Sequence, residues 1–190
     1  MCLNIFHALY DGNSLFLLLE MVARKYLKED YAAETSSSFL DTLPVGPLCK
    51  DPLAQTFWTE HLKDSPGKLL PKSDTPAHSS IVKEVDINVT EHVDQVKKSL
   101  NVTEQAVFHA CWLLTLPRQF GFVPPLGIVV SGRALEIPCI ESVIGPLFNT
   151  IPSNVNFRGM KTWSDIVQRC HDYYTSSLSF QHTRLRDIMK

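Results

Sequence analysis

Along the chain, apolar residues fall into runs of different period, and those periods predict the elements. Residues 3–10 are mostly apolar and end at Asp11-Gly12-Asn13-Ser14, a turn in which glycine is free to take positive φ, so the segment reads as a strand running into a loop. Ser14 or Asn13 can cap a helix over residues 15–28. Its first two turns carry Leu15 to Leu19, Met21 and Val22 with little polar face, which predicts a helix buried at its start. Arg24, Lys25 and Lys28 sit at its C-terminal end, where the helix dipole favours cations.

Residues 30–52 lose this periodicity and gain Ser, Pro and Gly, so they read as a connector. A short helix follows over 53–63, with Leu53, Phe57, Trp58 and Leu62 at helical spacing, and a second Pro/Gly/Ser-rich linker runs over 65–79. Alternation of Ile81, Val82, Val85 and Ile87 predicts a strand over 80–87, followed by a short polar helix over 91–99. The clearest helix covers 103–120, with Thr103 as its cap and Pro117 expected to kink it or end it early. The β-branched run 126–130 suits an interior strand stopped by Ser131-Gly132-Arg133, and residues 149–157 predict another. An amphipathic helix over 162–178, capped by Thr162, and a final segment over 180–189 complete an α/β pattern without internal repeats.

Composition narrows the function classes. The 190 residues are 44% hydrophobic, and 18 basic against 20 acidic side chains, scattered along the chain, give no stripe of the kind that neutralises phosphates, so nucleic acid is not the expected partner. The longest apolar stretch, 106–116, is too short for a membrane helix, which needs about 20 residues, and no membrane partner is expected. Asn4, His7 and Asp11 interrupt the N-terminus where a signal peptide would be continuous. The five cysteines are odd in number and lack CxxC spacing, which predicts reduced thiols in a cytoplasmic protein and no structural metal.

Chemistry gathers at His7-Ala8-Leu9-Tyr10-Asp11-Gly12, an HxxxDG pattern. A strand end followed by a glycine turn can lift an imidazole into a cleft, while Asp11 turns away and locks the loop through a buried ion pair. With a reference pKa of about 6.5, such an imidazole can take a proton from an attacking amine or hydroxyl near neutral pH. The bland alternative is a histidine satisfied within a loop.

Further blocks follow in order: Phe57-Trp58-Thr59-Glu60-His61-Leu62, then Val130-Ser131-Gly132-Arg133, then Ile144-Gly145-Pro146-Leu147-Phe148-Asn149-Thr150-Ile151-Pro152, then Phe180-Gln181-His182-Thr183 with Leu185-Arg186-Asp187-Ile188. Together with HxxxDG they resemble the condensation domains of nonribosomal peptide synthetases, in particular fungal ones of the siderophore-making kind, over almost the whole chain. The family signature is HHxxxDG; Phe6 replaces its first histidine.

The resemblance implies an α/β, chloramphenicol acetyltransferase-like fold of two lobes, with the histidine in a tunnel between them. It implies amide formation by transfer of an acyl or peptidyl group from a carrier-protein thioester to a carrier-bound amine. No cofactor is bound directly; phosphopantetheine is carried by the partners, which are peptidyl carrier domains beside an adenylation domain of the same assembly line. His7 inherits the role facing acyl transfer, Asp11 that of pairing with an arginine, and Gly12 that of letting the backbone approach the reacting groups. Ser131 is the second-lobe hydroxyl placed to stabilise an oxyanion, or else a strand-ending turn. Arg133 is an ion-pair partner, a tunnel wall or a solvated turn residue, and Asn149 orders its loop or touches substrate. Gln181 and His182 are read as structural, the remaining histidines as ordinary surface or core, and Trp58, Trp112 and Trp163 as core.

Domains of that family are more than twice this length. Residues 1–50 therefore read as the end of the first lobe, 51–79 as a bridging helix with linkers, and 80–190 as a truncated second lobe. The arginine partner of Asp11 is expected in first-lobe sequence outside these residues, and the chain alone is expected to be inactive. Two other readings stay open: a coenzyme A-dependent acyltransferase of the same fold, and an inactive remnant that docks a carrier.

Overall fold

The computed structural model describes residues 4–28, 37–65 and 84–189. The chain divides into two compact units: one takes Met1–His61, Gly127–Pro152 and Leu178–Lys190, and the other Leu62–Leu126 and Ser153–Ser177.

In the first unit, residues 4–6 are irregular and His7–Leu9 form a single 3-10 turn, so no strand forms where the apolar run predicted one; residues 1–3 lie outside the described part. Helix α1 (Gly12–Tyr26) follows, capped not by Ser14 or Asn13 but by Asp11, whose Oδ1 accepts the Ser14 amide at 2.7 Å. A carboxylate outcompetes a hydroxyl for this position because it also meets the positive end of the helix dipole. The buried start expected for α1 is absent. Only Ser14 is fully buried; Leu15, Leu17 and Leu18 are half-buried, while Phe16 is 66% exposed and Leu19 and Val22 are exposed too.

Within the connector, Ser38 and Asp41 form a reciprocal capping box that starts a one-turn helix, α2 (Phe39–Thr42). Helix α3 (Pro52–Leu62) matches its predicted span and buries Trp58 and Ala54. Strands β1 (Leu126–Val130) and β2 (Asn149–Ser153) pair as a two-stranded sheet. The interior setting expected for β1 is not found: exposure alternates along it and Val129 faces solvent, since among the described residues the sheet has only one partner strand. Ile140, Val143 and Leu147 form the core here, with Phe39, Leu135 and Ile137 against them.

The second unit is a helical layer. Helices α4 (Thr90–Leu100) and α5 (Glu104–Phe120) pack against each other, and α5 packs on α6 (Trp163–Ser177). Their shared core is Ala106, Val107, Ala110 and Leu113 of α5 with Ile166, Val167, Cys170 and Tyr173 of α6. Thr103 and Thr162 cap α5 and α6 as expected, through the Ala106 and Asp165 amides. Pro117 does not end α5 early; it stands in the last turn, where losing one hydrogen bond costs least, and Gly121 at φ 74° closes the helix. Residues 84–87 are irregular and not a strand, and 80–83 lie outside the described part, as does nearly all of the linker at 66–79. Trp112 is 60% exposed and Trp163 lies at the surface, so of the three tryptophans only Trp58 is core.

Back in the first unit, the chain ends in a 3-10 turn, Leu178–Phe180, and a one-turn helix, α7 (Leu185–Ile188).

Candidate active site

Asp11 and Arg133 organise the first unit. Arg133 Nη2 donates to Asp11 Oδ1 at 3.1 Å and Oδ2 at 3.2 Å, and Nη1 donates to the carbonyls of Ile140 and Val143. Both side chains are buried. The arginine expected outside these residues is therefore Arg133 itself, on the turn that ends β1. Gly132 makes that turn feasible: its φ is +69°, and a Cβ there would fall on the Leu147 carbonyl.

Asp11 Oδ2 also accepts the Leu147 amide at 3.2 Å. Burial pushes the Asp11 carboxyl up, but the hydroxyl and amide of Ser14, the Arg133 guanidinium and the Leu147 amide outweigh it and hold it below its ordinary value. Each of these contacts is a hydrogen bond that the carboxylate accepts.

His7 is exposed on the 3-10 turn, not lifted from a strand end. Its ring stacks on Tyr10 at 4.8 Å between centroids and meets the Phe148 ring edge-on at 6.5 Å. Tyr10 and Phe148 are the neighbours in sequence of Asp11 and Leu147. The hydrogen bond joining those two residues therefore also gathers the rings around the imidazole.

Gly12 opens α1, and a Cβ there would meet nothing within 4 Å, so the backbone is accessible. It lines a cavity of about 300 Å³ with Asp11, Ser131, Arg133, Glu141 and Phe148. His7 is not in that lining and meets it through the Phe148 ring. Ser131 Oγ accepts the Arg133 amide at 3.3 Å, which fastens the turn. Asn149 spends its side-chain amide on the carbonyls of Gln181 and Thr183, at 2.7 and 2.9 Å, and so ties β2 to the 181–183 segment. The His182 ring lies beside Gly46 and Gly132. Two larger hollows, about 620 Å³ beside Ser153 and about 740 Å³ beside His182, include none of the six candidate residues.

Three features escaped the sequence. Ser14 stood out only as a cap, Phe148 only as a motif position, and His109 was read as ordinary. In the second unit His109 is buried, with Nε2 at 2.8 Å from Ser153 Oγ, and burial lowers its pKa. Neither residue lies in a motif, and 44 positions separate them, so no local signal could pair them. Among the described residues no group of three or more His, Cys, Asp and Glu side chains could hold a metal ion, and no helix is long and apolar enough to cross a membrane.

A family model for the condensation domain matches residues 1–190. Among curated proteins, the nonribosomal peptide synthetase sidC of Arthroderma benhamiae is 44% identical over 190 residues, which is 100% of this chain and 4% of that protein. Nonribosomal peptide synthetase 2 of Cochliobolus heterostrophus is 38% identical over 187 residues, 98% of this chain and 4% of that protein. Among solved structures, the first condensation domain of the calcium-dependent antibiotic synthetase, in complex with a substrate analogue, superposes with a TM-score of 0.73 at 17% identity, covering 97% of this chain and 43% of that one. SgcC5 of Streptomyces globisporus superposes with a TM-score of 0.74 at 13% identity, covering 92% of this chain and 42% of that one. At such identities the likeness speaks for the fold.

Proposed function

The chain belongs to the condensation-domain family of nonribosomal peptide synthetases, and on that premise we propose that it supplies the histidine-bearing part of a domain that forms amide bonds during siderophore assembly. Its fold is the chloramphenicol acetyltransferase-like α/β fold of those domains, of which it spans less than half. On this reading residues 1–50 close a first lobe, 51–79 bridge, and 80–190 belong to a second, so that Asp11 and Arg133 join the two.

The substrates are an acyl or peptidyl thioester on one phosphopantetheine arm and an amine on another, each presented by a carrier domain beside an adenylation domain in the cytoplasm. The amine nitrogen attacks the thioester carbonyl, the C–N bond forms, and His7 takes the proton the nitrogen sheds. Collapse of the tetrahedral intermediate breaks the C–S bond, and the departing thiolate recovers a proton. On this reading Gly12 lets the backbone approach the reacting groups and the Ser131 hydroxyl stabilises the developing oxyanion, a reading supported by their lining one cavity. Arg133 holds Asp11, and Asn149 orders the wall; neither transfers a proton.

The observation that carries this reading is the placement of His7, exposed at its turn and framed by Tyr10 and Phe148, on a loop pinned by Asp11. The test mixes donor-loaded and acceptor-loaded carrier proteins with a full-length condensation domain containing this chain and follows the product by mass. Amide on the acceptor carrier is expected, with no transfer from a coenzyme A thioester to a free amine. Transfer from coenzyme A alone would make it a coenzyme A-dependent acyltransferase, and no transfer from either donor would make it a carrier-docking remnant.

A further inference from the structure

Ser14 is fully buried, at 0% exposure, yet it sits in the first turn of a helix whose other side chains are not buried. Its hydroxyl accepts the Gly145 amide at 2.9 Å and has two acceptors for its single proton, Asp11 Oδ1 at 2.7 Å and the Gly145 carbonyl at 2.8 Å. Arg133 Nη2 approaches the same oxygen at 3.4 Å. One hydroxyl thus joins the start of α1 to a backbone segment 131 residues further along. Two residues beyond Gly145, the Leu147 amide reaches Asp11 Oδ2. The 145–147 segment is therefore attached to the HxxxDG loop at two points, one through Ser14 and one through Asp11.

Those attachments decide where the imidazole stands, because one ring that frames His7 follows Leu147 and the other precedes Asp11. With the Ser14 attachment gone, segment 145–147 keeps its direct tie to Asp11, with Asn13 and Arg133 holding only the carbonyls of Glu141 and Val143 before it, and Phe148 is free to shift against Tyr10. Alanine there would also leave the amide of Gly145, a buried residue, without the Ser14 hydroxyl it donates to, while the Gly145 carbonyl keeps the Leu147 amide at 3.0 Å.

We propose that Ser14 is a positioning residue for amide formation: its hydroxyl, shared between Asp11 and the backbone of Gly145, sets the place of the His7 ring against Phe148. The proposal rests on the role given to His7 above. Ser14 touches no reacting group and acts only through the loop it fastens.

The test uses the full-length condensation domain with carrier-bound substrates. Ser14→Ala is expected to lower kcat about 10- to 100-fold, the scale of a roughly 1 Å misplacement, with KM changed less than about 3-fold. In a His7→Ala background the same substitution should change the residual rate less than about 2-fold, since there is no imidazole left to misplace. Ser14→Cys, which keeps the shape but weakens both hydrogen bonds, should give an intermediate loss and carries the test if Ser14→Ala does not fold. The ring-proton shifts of His7, set by the Tyr10 and Phe148 rings, should move in either variant.

A folded Ser14→Ala or Ser14→Cys domain with kcat unchanged and His7 shifts in place overturns the proposal. So does a loss in the His7→Ala background as large as in the wild type, which would mean a general structural role. Failure of His7→Ala itself to slow the reaction counts against the functional reading and removes the proposal with it.

Discussion

Arg133 reaches both carboxylate oxygens of Asp11, 122 residues away in sequence, through a single nitrogen, Nη2, while Nη1 is engaged by two backbone carbonyls. A buried pair of this kind adds little net stability over a packed apolar pair, but each partner becomes costly once the other is removed. Arg133→Met should therefore destabilise the first unit by about 3–5 kcal/mol. Combined with Asp11→Asn, the loss should be smaller than the sum of the two single losses. Urea unfolding of the four proteins in the cycle measures both; additive losses would mean that the pair is not energetically joined.

Two pH limbs should separate. The folded Asp11 carboxyl lies below its ordinary value, so its contribution is present above the unfolded pKa of about 3.9 and is lost as pH falls through the folded value. His109 is lowered by desolvation, so the unfolded chain binds a proton first; stability is full above about 6.5 and declines as pH falls towards the folded value. His182, in the first unit, shifts in the same direction for the same cause. Unfolding midpoints should drop between pH 7.5 and 5.5, and His109→Gln with His182→Gln should flatten that limb. Asp11→Asn should lower the midpoint at neutral pH, by removing the partner of Arg133, and should flatten the acid limb below about pH 4.

Gly132 is needed for its backbone and for its lack of a side chain. Gly132→Ala places a methyl on the Leu147 carbonyl at φ +69° and should destabilise the unit by about 3 kcal/mol or more. Gly12→Ala, with open space at the same atom, should leave the unfolding midpoint almost unchanged. Comparable losses at both glycines would contradict this account.

Thiol labelling should divide the cysteines. Cys170 is buried in the helical core and its thiol is pushed up to about 12, first by desolvation and then by Cys111 nearby. Cys49, Cys111 and Cys139 are exposed. A neutral-pH alkylating reagent should modify these three in the folded chain and reach Cys170 only after unfolding; peptide mass mapping reads the outcome.

What the sequence disclosed follows the range of the forces involved. Helices α3, α5 and α6 were legible because spacing and caps such as Thr103 and Thr162 are local. The strand expected before HxxxDG was not, since an apolar run suits a strand only when a neighbour pairs with it, and residues 4–6 have none among the described residues. The buried start of α1 failed because burial belongs to whatever packs on a face, and there Ser14 is fully covered while Leu15, Leu17 and Leu18 are only half-covered. At the site, HxxxDG drew attention to His7 and Asp11. The identity of the arginine, the reach of Ser14 to Gly145 and the Ser153–His109 bond depend on contacts across 44 to 131 positions, which periodicity does not encode.

The most direct test of the central claim is the single-turnover rate of amide formation by the full-length domain with saturating carrier-bound substrates, wild type against His7→Ala, each with its unfolding midpoint. The account predicts a fall of about 10²- to 10⁴-fold, the scale of losing the proton acceptor proposed above, with the midpoint preserved because His7 is exposed and not part of the core. A His7→Ala domain that forms amide within a few-fold of the wild-type rate would contradict it.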